Sequence, residues 1–239
     1  MTPTHVLIAG AGPVGLVSAL NLATAGISVT VFERHTAPQE DLRASTFHPP
    51  TLDMLARFGI SEELVSQGLV ARYTQQRDRK EGLIAEFDMA LLEGETQHPF
   101  RLQCEQWKLN TSLLDRLALM PHVTIILGAE LQSVEQDDNS VTAKVKIDGK
   151  IVTFTGNYLI GADGASSAVR QSLGIEFEGF TYPERFLSIS TDFEYADHLP
   201  RLSYVNYVSD PDEWCVLLRV PTLWRVLFPT KQEETDEEV

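Results

Sequence analysis

The sequence is short of cysteine, of positive charge and of long unbroken apolar runs. Its two cysteines, Cys104 and Cys215, are too few and too far apart for the disulfide framework of a small secreted domain, so reduced thiols are expected. Nineteen Lys and Arg stand against 34 Asp and Glu, a formal net charge of -15. Such a surface repels nucleic acid and anionic lipid, and neither is expected as a partner. The six histidines (His5, His35, His48, His98, His122 and His198) show no metal-ligand spacing, and no metal site is expected. The apolar start at Val6 has no Lys or Arg before it and is broken by Gly10, Gly12, Pro13 and Gly15, unlike a signal peptide or a membrane span. A cytoplasmic location is the expectation. Ser166-Ser167 do not sit in G-x-S-x-G, and neither a Ser-His-Asp order nor a paired-carboxylate spacing emerges. The sequence identifies no catalytic base.

What is present begins at the N-terminus. With 43% hydrophobic residues, the 239-residue chain can bury one large core or two smaller ones. Val6-Leu7-Ile8-Ala9 reads as a buried parallel strand. Gly10-Ala11-Gly12-Pro13-Val14-Gly15 follows, and from Pro13 the pattern turns helical, with Leu16, Leu20 and Ala23 and, beside them, Val17 and Ala19 on one face. Pro13 suits a first helical turn and Gly26 a helix stop. Ser28 to Glu33 is β-branched and reads as a second strand. This is a right-handed βαβ unit with G-x-G-x-x-G at its turn. Gly10 permits the tight turn, Gly12 lets backbone approach a pyrophosphate, and Gly15 lets helix and strand pack closely. The helix N-terminus offers N–H groups and partial positive charge to phosphates. A carboxylate at Glu33 accepts the hydroxyls of an adenosine ribose and repels a 2′-phosphate. The unit points to a bound dinucleotide.

Downstream, His35 to Pro50 is polar and proline-bearing, a loop. Leu52, Leu55, Ala56 and Phe58 predict a short helix stopped by Gly59, and residues 70–100 predict short strands. Gln106 to Met120 predicts a helix with Leu109, Leu113 and Leu117 inward. Strands are predicted at Val123–Leu127, Leu131–Glu135 and Val141–Ile147. A hairpin at Asp148-Gly149 leads back through Ile151 to Thr155. Only near Tyr158 does a parallel-type strand return, ending at Asp163-Gly164. Phe186 to Phe228 is dense in aromatics with several alternating runs and predicts an antiparallel sheet. Phe193, Tyr204, Tyr207, Trp214 and Trp224 would line an aromatic pocket or, more simply, form its core.

Three stretches carry a family resemblance: VLIAGAGPVGLVSALNLATAGISVTVFER, ending in Glu33-Arg34; Arg43-Ala44-Ser45 with Thr51-Leu52-Asp53-Met54-Leu55; and YLIGADGASSAVRQSLGI, with Asp163-Gly164 and then Arg170. In these the chain resembles the class A flavoprotein aromatic hydroxylases, the para-hydroxybenzoate hydroxylase-like family. The resemblance implies an α/β fold: a Rossmann-like FAD-binding domain with an inserted β-meander over residues 1–180, followed by part of an antiparallel-sheet substrate domain over 181–239. It implies that Gly10, Gly12, Pro13 and Gly15 cradle the pyrophosphate of FAD, that Glu33 holds the adenosine ribose, and that Arg34 lies against the adenine end. Arg43 and Gln103 would bind the phosphate–ribityl region. Asp163 and Gly164 would fix a turn at the flavin site linked to NAD(P)H use. The implied reaction is hydroxylation of a phenolic ring with O2 and NADH or NADPH.

The family has a later Gly-Asp motif that grips the flavin, and nothing after Val220 matches it; the last glycine is Gly179. Thr235-Asp-Glu-Glu238 has the form of a capping box, a helix start. A truncated chain is therefore expected, with the C-terminal part of its FAD domain absent, poorly stable, weak in FAD binding and inactive alone. A non-catalytic nucleotide-binding module and a related flavoprotein oxidase or halogenase are the alternatives. The ring substrate, the choice of nicotinamide and any homo-oligomeric state stay open.

Overall fold

A run of apolar residues on both faces of a strand must be covered on both sides, and the apolar strands read from the sequence meet that need in one another's company. The computed structural model describes residues 4–40, 44–182 and 185–230. Its elements begin with β1 (His5–Ala9), α1 (Pro13–Thr24) and β2 (Ser28–Glu33). Next come β3 (Thr46–Phe47), α2 (Pro49–Ala56), α3 (Ile60–Gln67), β4 (Leu69–Ala71), β5 (Tyr73–Asp78) and β6 (Gly82–Asp88). A 3-10 turn at Met89–Leu92 precedes β7 (Arg101–Gln103), α4 (Gln106–Ala118), β8 (Val123–Leu127), β9 (Ala129–Gln136) and β10 (Val141–Ile147). Then follow β11 (Lys150–Gly156), β12 (Tyr158–Gly161), α5 (Ala168–Ser172) and β13 (Arg185–Thr191). β14 (Val205–Ser209), β15 (Cys215–Arg219) and β16 (Trp224–Thr230) complete them. The Thr235-Asp-Glu-Glu238 sequence lies outside the described residues.

The chain divides into two compact units, Met1–Asp41 with Trp107–Gly179, and Leu42–Gln106 with Phe180–Val239. The sequence predicts a single boundary at 180. Packing also sets residues 42–106 with the later segment, because β5 finds its neighbour in β14. No local pattern announces a partner so distant.

In the first unit, β12-β1-β2-β8 form a four-stranded sheet, parallel throughout. Val123–Leu127 is thus already a parallel strand, paired with β2, and the parallel pattern returns well before Tyr158. A five-residue apolar run shows burial but not the direction of its neighbour. α1 buries Leu16, Ala19, Leu20 and Ala23, and α4 buries Leu109, Leu113 and Leu117. The meander β11-β10-β9 is antiparallel. Its hairpin turns on Asp148 and Gly149, both at positive φ, as a tight two-residue loop requires. Val141, Ala143 and Val145 alternate inward and join Leu7, Ala9, Phe32 and Val134 in one core. The Phe32 and Phe154 rings meet there at 4.8 Å.

In the second unit, the six strands run β13-β16-β15-β14-β5-β6. All pairs are antiparallel except β14 with β5, so the sheet is mixed. A three-stranded antiparallel sheet, β3-β7-β4, lies in the same unit. The predicted loop to Pro50 in fact contains β3 and the first two residues of α2. Gly59, at φ 67, stops α2 as predicted and at once caps α3, a helix with no expectation behind it. The aromatic-rich segment is only partly core. Trp224 is 2% exposed, with Nε1 donating to Glu194 at 2.8 Å, whereas Phe193, Tyr204 and Trp214 are exposed. Neither cysteine is in a disulfide; Cys104 is buried and Cys215 half-buried. Among the described residues no helix is long and apolar enough to cross a membrane.

Candidate dinucleotide site

β1 ends at Ala9, and the chain must turn into α1 within three residues. Gly10 makes the turn at φ 98, and its N–H donates to the Phe32 carbonyl at 2.8 Å. A Cβ on Gly10 would lie 2.8 Å from the carbonyl carbon of Ala162 and 3.1 Å from Asp163 Cα. At Gly15 a Cβ would fall on the carbonyl oxygen of Gly10. These two glycines answer steric demands of the protein itself.

Gly12 is different. Its φ of -73 suits any residue, and nothing lies within 4 Å of where its Cβ would be. It is the N-cap of α1, yet no side chain caps the helix, Pro13 occupies the first turn, and no acid stands there. The start of α1 therefore keeps its partial positive charge beside open space.

Glu33 closes β2 next to this turn. Its Oε2 accepts the Ala11 N–H at 2.8 Å and its Oε1 accepts the His35 N–H at 3.0 Å. A carboxylate has about four acceptor positions, so capacity for further donors remains. Arg34 is exposed, its Nε 3.4 Å from His35 Nε2.

Asp163-Gly164 reaches the same place through β12, where Gly161 stands beside Ala9 and the Ala162 N–H donates to the Ala9 carbonyl at 2.8 Å. Asp163 Oδ1 accepts the Ser167 hydroxyl at 2.6 Å, and Oδ2 accepts the Val169 N–H at 3.1 Å. Ser167 in turn accepts the Arg170 N–H at 3.0 Å, capping α5. Gly164 takes φ 81. Ser167 was readable as an N-cap from the apolar turn after it, but its bond to Asp163 was not.

Gly10, Gly12, Pro13, Gly15, Glu33, Asp163 and Gly164 thus gather at the C-terminal ends of β1, β2 and β12, where open α/β sheets bind ligands. Gln103 belongs to the second unit. It is fully buried, and its amide shares the Thr46 hydroxyl, 3.0 Å from Nε2 and 3.2 Å from Oε1. Arg43 lies outside the described residues. Two polar groups of the second unit were given no role from the sequence. Asp53 on α2 accepts the Thr96 hydroxyl at 2.6 Å and faces His98 Nδ1 at 2.7 Å, and these hydrogen bonds hold its carboxyl below the usual range. Arg101 Nη1 donates to the Tyr207 hydroxyl at 3.1 Å.

A model of the FAD-binding domain family matches residues 3–238. Para-nitrophenol 4-monooxygenase of Pseudomonas sp. (strain WBC-3) is 32% identical over 236 residues, covering 98% of this chain and 58% of that protein. The 6-hydroxy-3-succinoylpyridine 3-monooxygenase of Pseudomonas putida is 32% identical over 229 residues, 94% of this chain and 57% of that protein. Among solved structures, p-nitrophenol 4-monooxygenase from Pseudomonas putida superposes with a TM-score of 0.93 at 29% identity, covering 99% of this chain and 60% of that one. The chain spans somewhat more than half the length of these relatives.

Proposed function

The chain belongs to the family of FAD-binding domains, and on that footing we propose that it is the FAD-binding portion of an NAD(P)H-dependent monooxygenase that hydroxylates a phenolic aromatic small molecule with O2. One observation carries the cofactor assignment. The uncapped start of α1 at Gly12, free of side chains and of acids, lies beside a carboxylate, Glu33, that is anchored by two backbone N–H groups and retains acceptor capacity. The first attracts a pyrophosphate and the second hydroxyl groups, in the order found along an adenosine diphosphate. These residues fit the group.

In this reading Gly10, Gly12, Pro13 and Gly15 hold the pyrophosphate. Glu33 accepts from the adenosine ribose hydroxyls, and its charge disfavours a 2′-phosphate. Arg34 lies along the adenine end, and Arg43 and Gln103 serve the phosphate–ribityl region. Asp163 holds the turn at Gly164 by capping α5, which keeps Ala162 and Asp163 tight against Gly10. FAD, when bound, supplies hydride acceptance from NAD(P)H and activation of O2. The similarity to monooxygenases of nitrophenol and of a hydroxypyridine supports an aromatic hydroxylated ring as the substrate class.

Titration of the 239-residue chain with FAD, followed by quenching of flavin fluorescence, tests the assignment. Saturable binding that Glu33→Ala weakens is the expected result. Absence of binding, or binding indifferent to Glu33, would remove it.

A further inference from the structure

Among the described residues, Arg101 of the second unit pairs with no carboxylate. β7 is the middle strand of β3-β7-β4, pairing Thr46 with Gln103 and Phe47 with Leu102. His48, the residue after β3, is the N-cap of α2 and stands close enough to Arg101 to feel its charge. Alternation then separates two faces. Phe47 and Leu102 share the apolar one and are buried. Thr46, Gln103 and Arg101 share the polar one, where Thr46 and Gln103 bond each other. From β14 of the same unit the Tyr207 hydroxyl arrives and accepts from Arg101 Nη1.

Among the described residues, this cluster lacks an anionic acceptor. Arg101 Nε is buried with no hydrogen-bond partner. Among the described residues no carboxylate pairs with Arg101. A hydroxyl that accepts from Arg101 still has its own proton to donate, and no described residue takes the proton of Tyr207. Burial, with the Arg101 charge added, pushes the His48 imidazole down. A partly buried guanidinium whose Nε meets no acceptor is costly alone and strongly favourable beside an oxyanion.

We propose that Arg101, Tyr207 and His48 form an oxyanion subsite that takes a phenolate, carboxylate or nitro oxygen carried on an aromatic ring. The proposal rests on the function proposed above and deepens it: Arg101 lies on the same strand face as Gln103, two residues away, and the subsite binds the ring substrate's anionic group. The planar guanidinium edge matches the paired oxygens of a carboxylate or nitro group, and the Tyr207 proton suits a single phenolate oxygen.

The test is calorimetric titration of the 239-residue chain with 4-nitrophenolate, benzoate and the neutral isostere benzamide, with FAD binding measured on the same samples. Arg101→Met is expected to weaken both anions by roughly tenfold or more, the size of a lost charge-assisted hydrogen bond, and to leave benzamide unchanged. Arg101→Lys keeps the charge without the fork and recovers part of the loss. Tyr207→Phe, which removes only a hydroxyl, weakens 4-nitrophenolate more than benzoate and serves if Arg101→Met does not fold. If benzamide binds as tightly as benzoate, if neither anion binds, or if Arg101→Met and Tyr207→Phe both bind the anions like the parent, the subsite is overturned. FAD binding that persists through such a result leaves the cofactor assignment standing. Loss of FAD binding in the parent with anion selectivity intact would remove the cofactor assignment and keep the oxyanion site.

Discussion

The carbonyl of Ala162 stands where a Cβ on Gly10 would have to go. The two residues are brought together by the pairing of β1 with β12, which sets the end of one strand against the end of the other. A glycine at position 10 is therefore required twice over, by its positive φ and by a neighbour from the far part of the chain.

Gly10→Ala and Gly12→Ala should separate folding from binding. The left-handed backbone at Gly10 alone costs about 1–2 kcal/mol for an L side chain, and the clash with Ala162 adds to it. Its urea midpoint should fall clearly. Gly12→Ala meets open space at an ordinary φ and should shift stability by less than about 0.5 kcal/mol. It should still weaken FAD by roughly tenfold, since the new methyl occupies the approach to the helix start. Equal stability of the two variants would refute this division.

Asp163→Ala should loosen α5. The substitution deletes the acceptor of the Ser167 hydroxyl and of the Val169 N–H, an end-capping role worth about 0.5–2 kcal/mol. Amide exchange at Val169 should accelerate in the variant. An unchanged exchange rate there would show that the bond contributes nothing to the turn.

Asp53 predicts an acid-side loss of stability. Hydrogen bonds from Thr96 and then His98 hold its folded pKa below the ordinary 3.8. As pH falls, the unfolded chain therefore takes up this proton first. The stabilisation is complete above 3.8 and disappears as pH drops through the lower folded value. The difference in urea midpoint between the parent and Asp53→Asn should shrink as pH falls through this window, and a constant difference would argue against the assignment. The side chain is about a third exposed, so solvent reduces the effect.

The thiols should report burial. Cys104 is fully buried, and burial pushes the half-buried Cys215 thiol up, with Arg79 pulling weakly the other way. A thiol-disulfide reagent near neutral pH should react slowly with Cys215 and not with Cys104 until denaturant is added, when both titrate. Rapid labelling of Cys104 in native buffer would contradict its placement.

Much of the first unit was legible in the sequence because its signals are local. A glycine spacing with Pro13 behind it describes a strand–turn–helix whatever surrounds it. The alternation of Val141, Ala143 and Val145 before Asp148-Gly149 describes a hairpin in the same way. The helix from Gln106 declared itself by the period of Leu109, Leu113 and Leu117. α3 stayed hidden because Gly59 reads as a stop, and nothing local says that it also starts the next helix.

By itself, then, the sequence determined the elements whose hydrogen bonds and periodicity close within a short window, and the chemical types placed at the glycine turn. The tertiary structure alone decided which strands became neighbours: β8 beside β2, β14 parallel to β5, Ala162 against Gly10. It alone brought Tyr207 to Arg101 across 106 positions of sequence. Pairing direction and side-chain partnership are set by which apolar faces can be buried together, a property of the whole packed chain that no single window of residues contains.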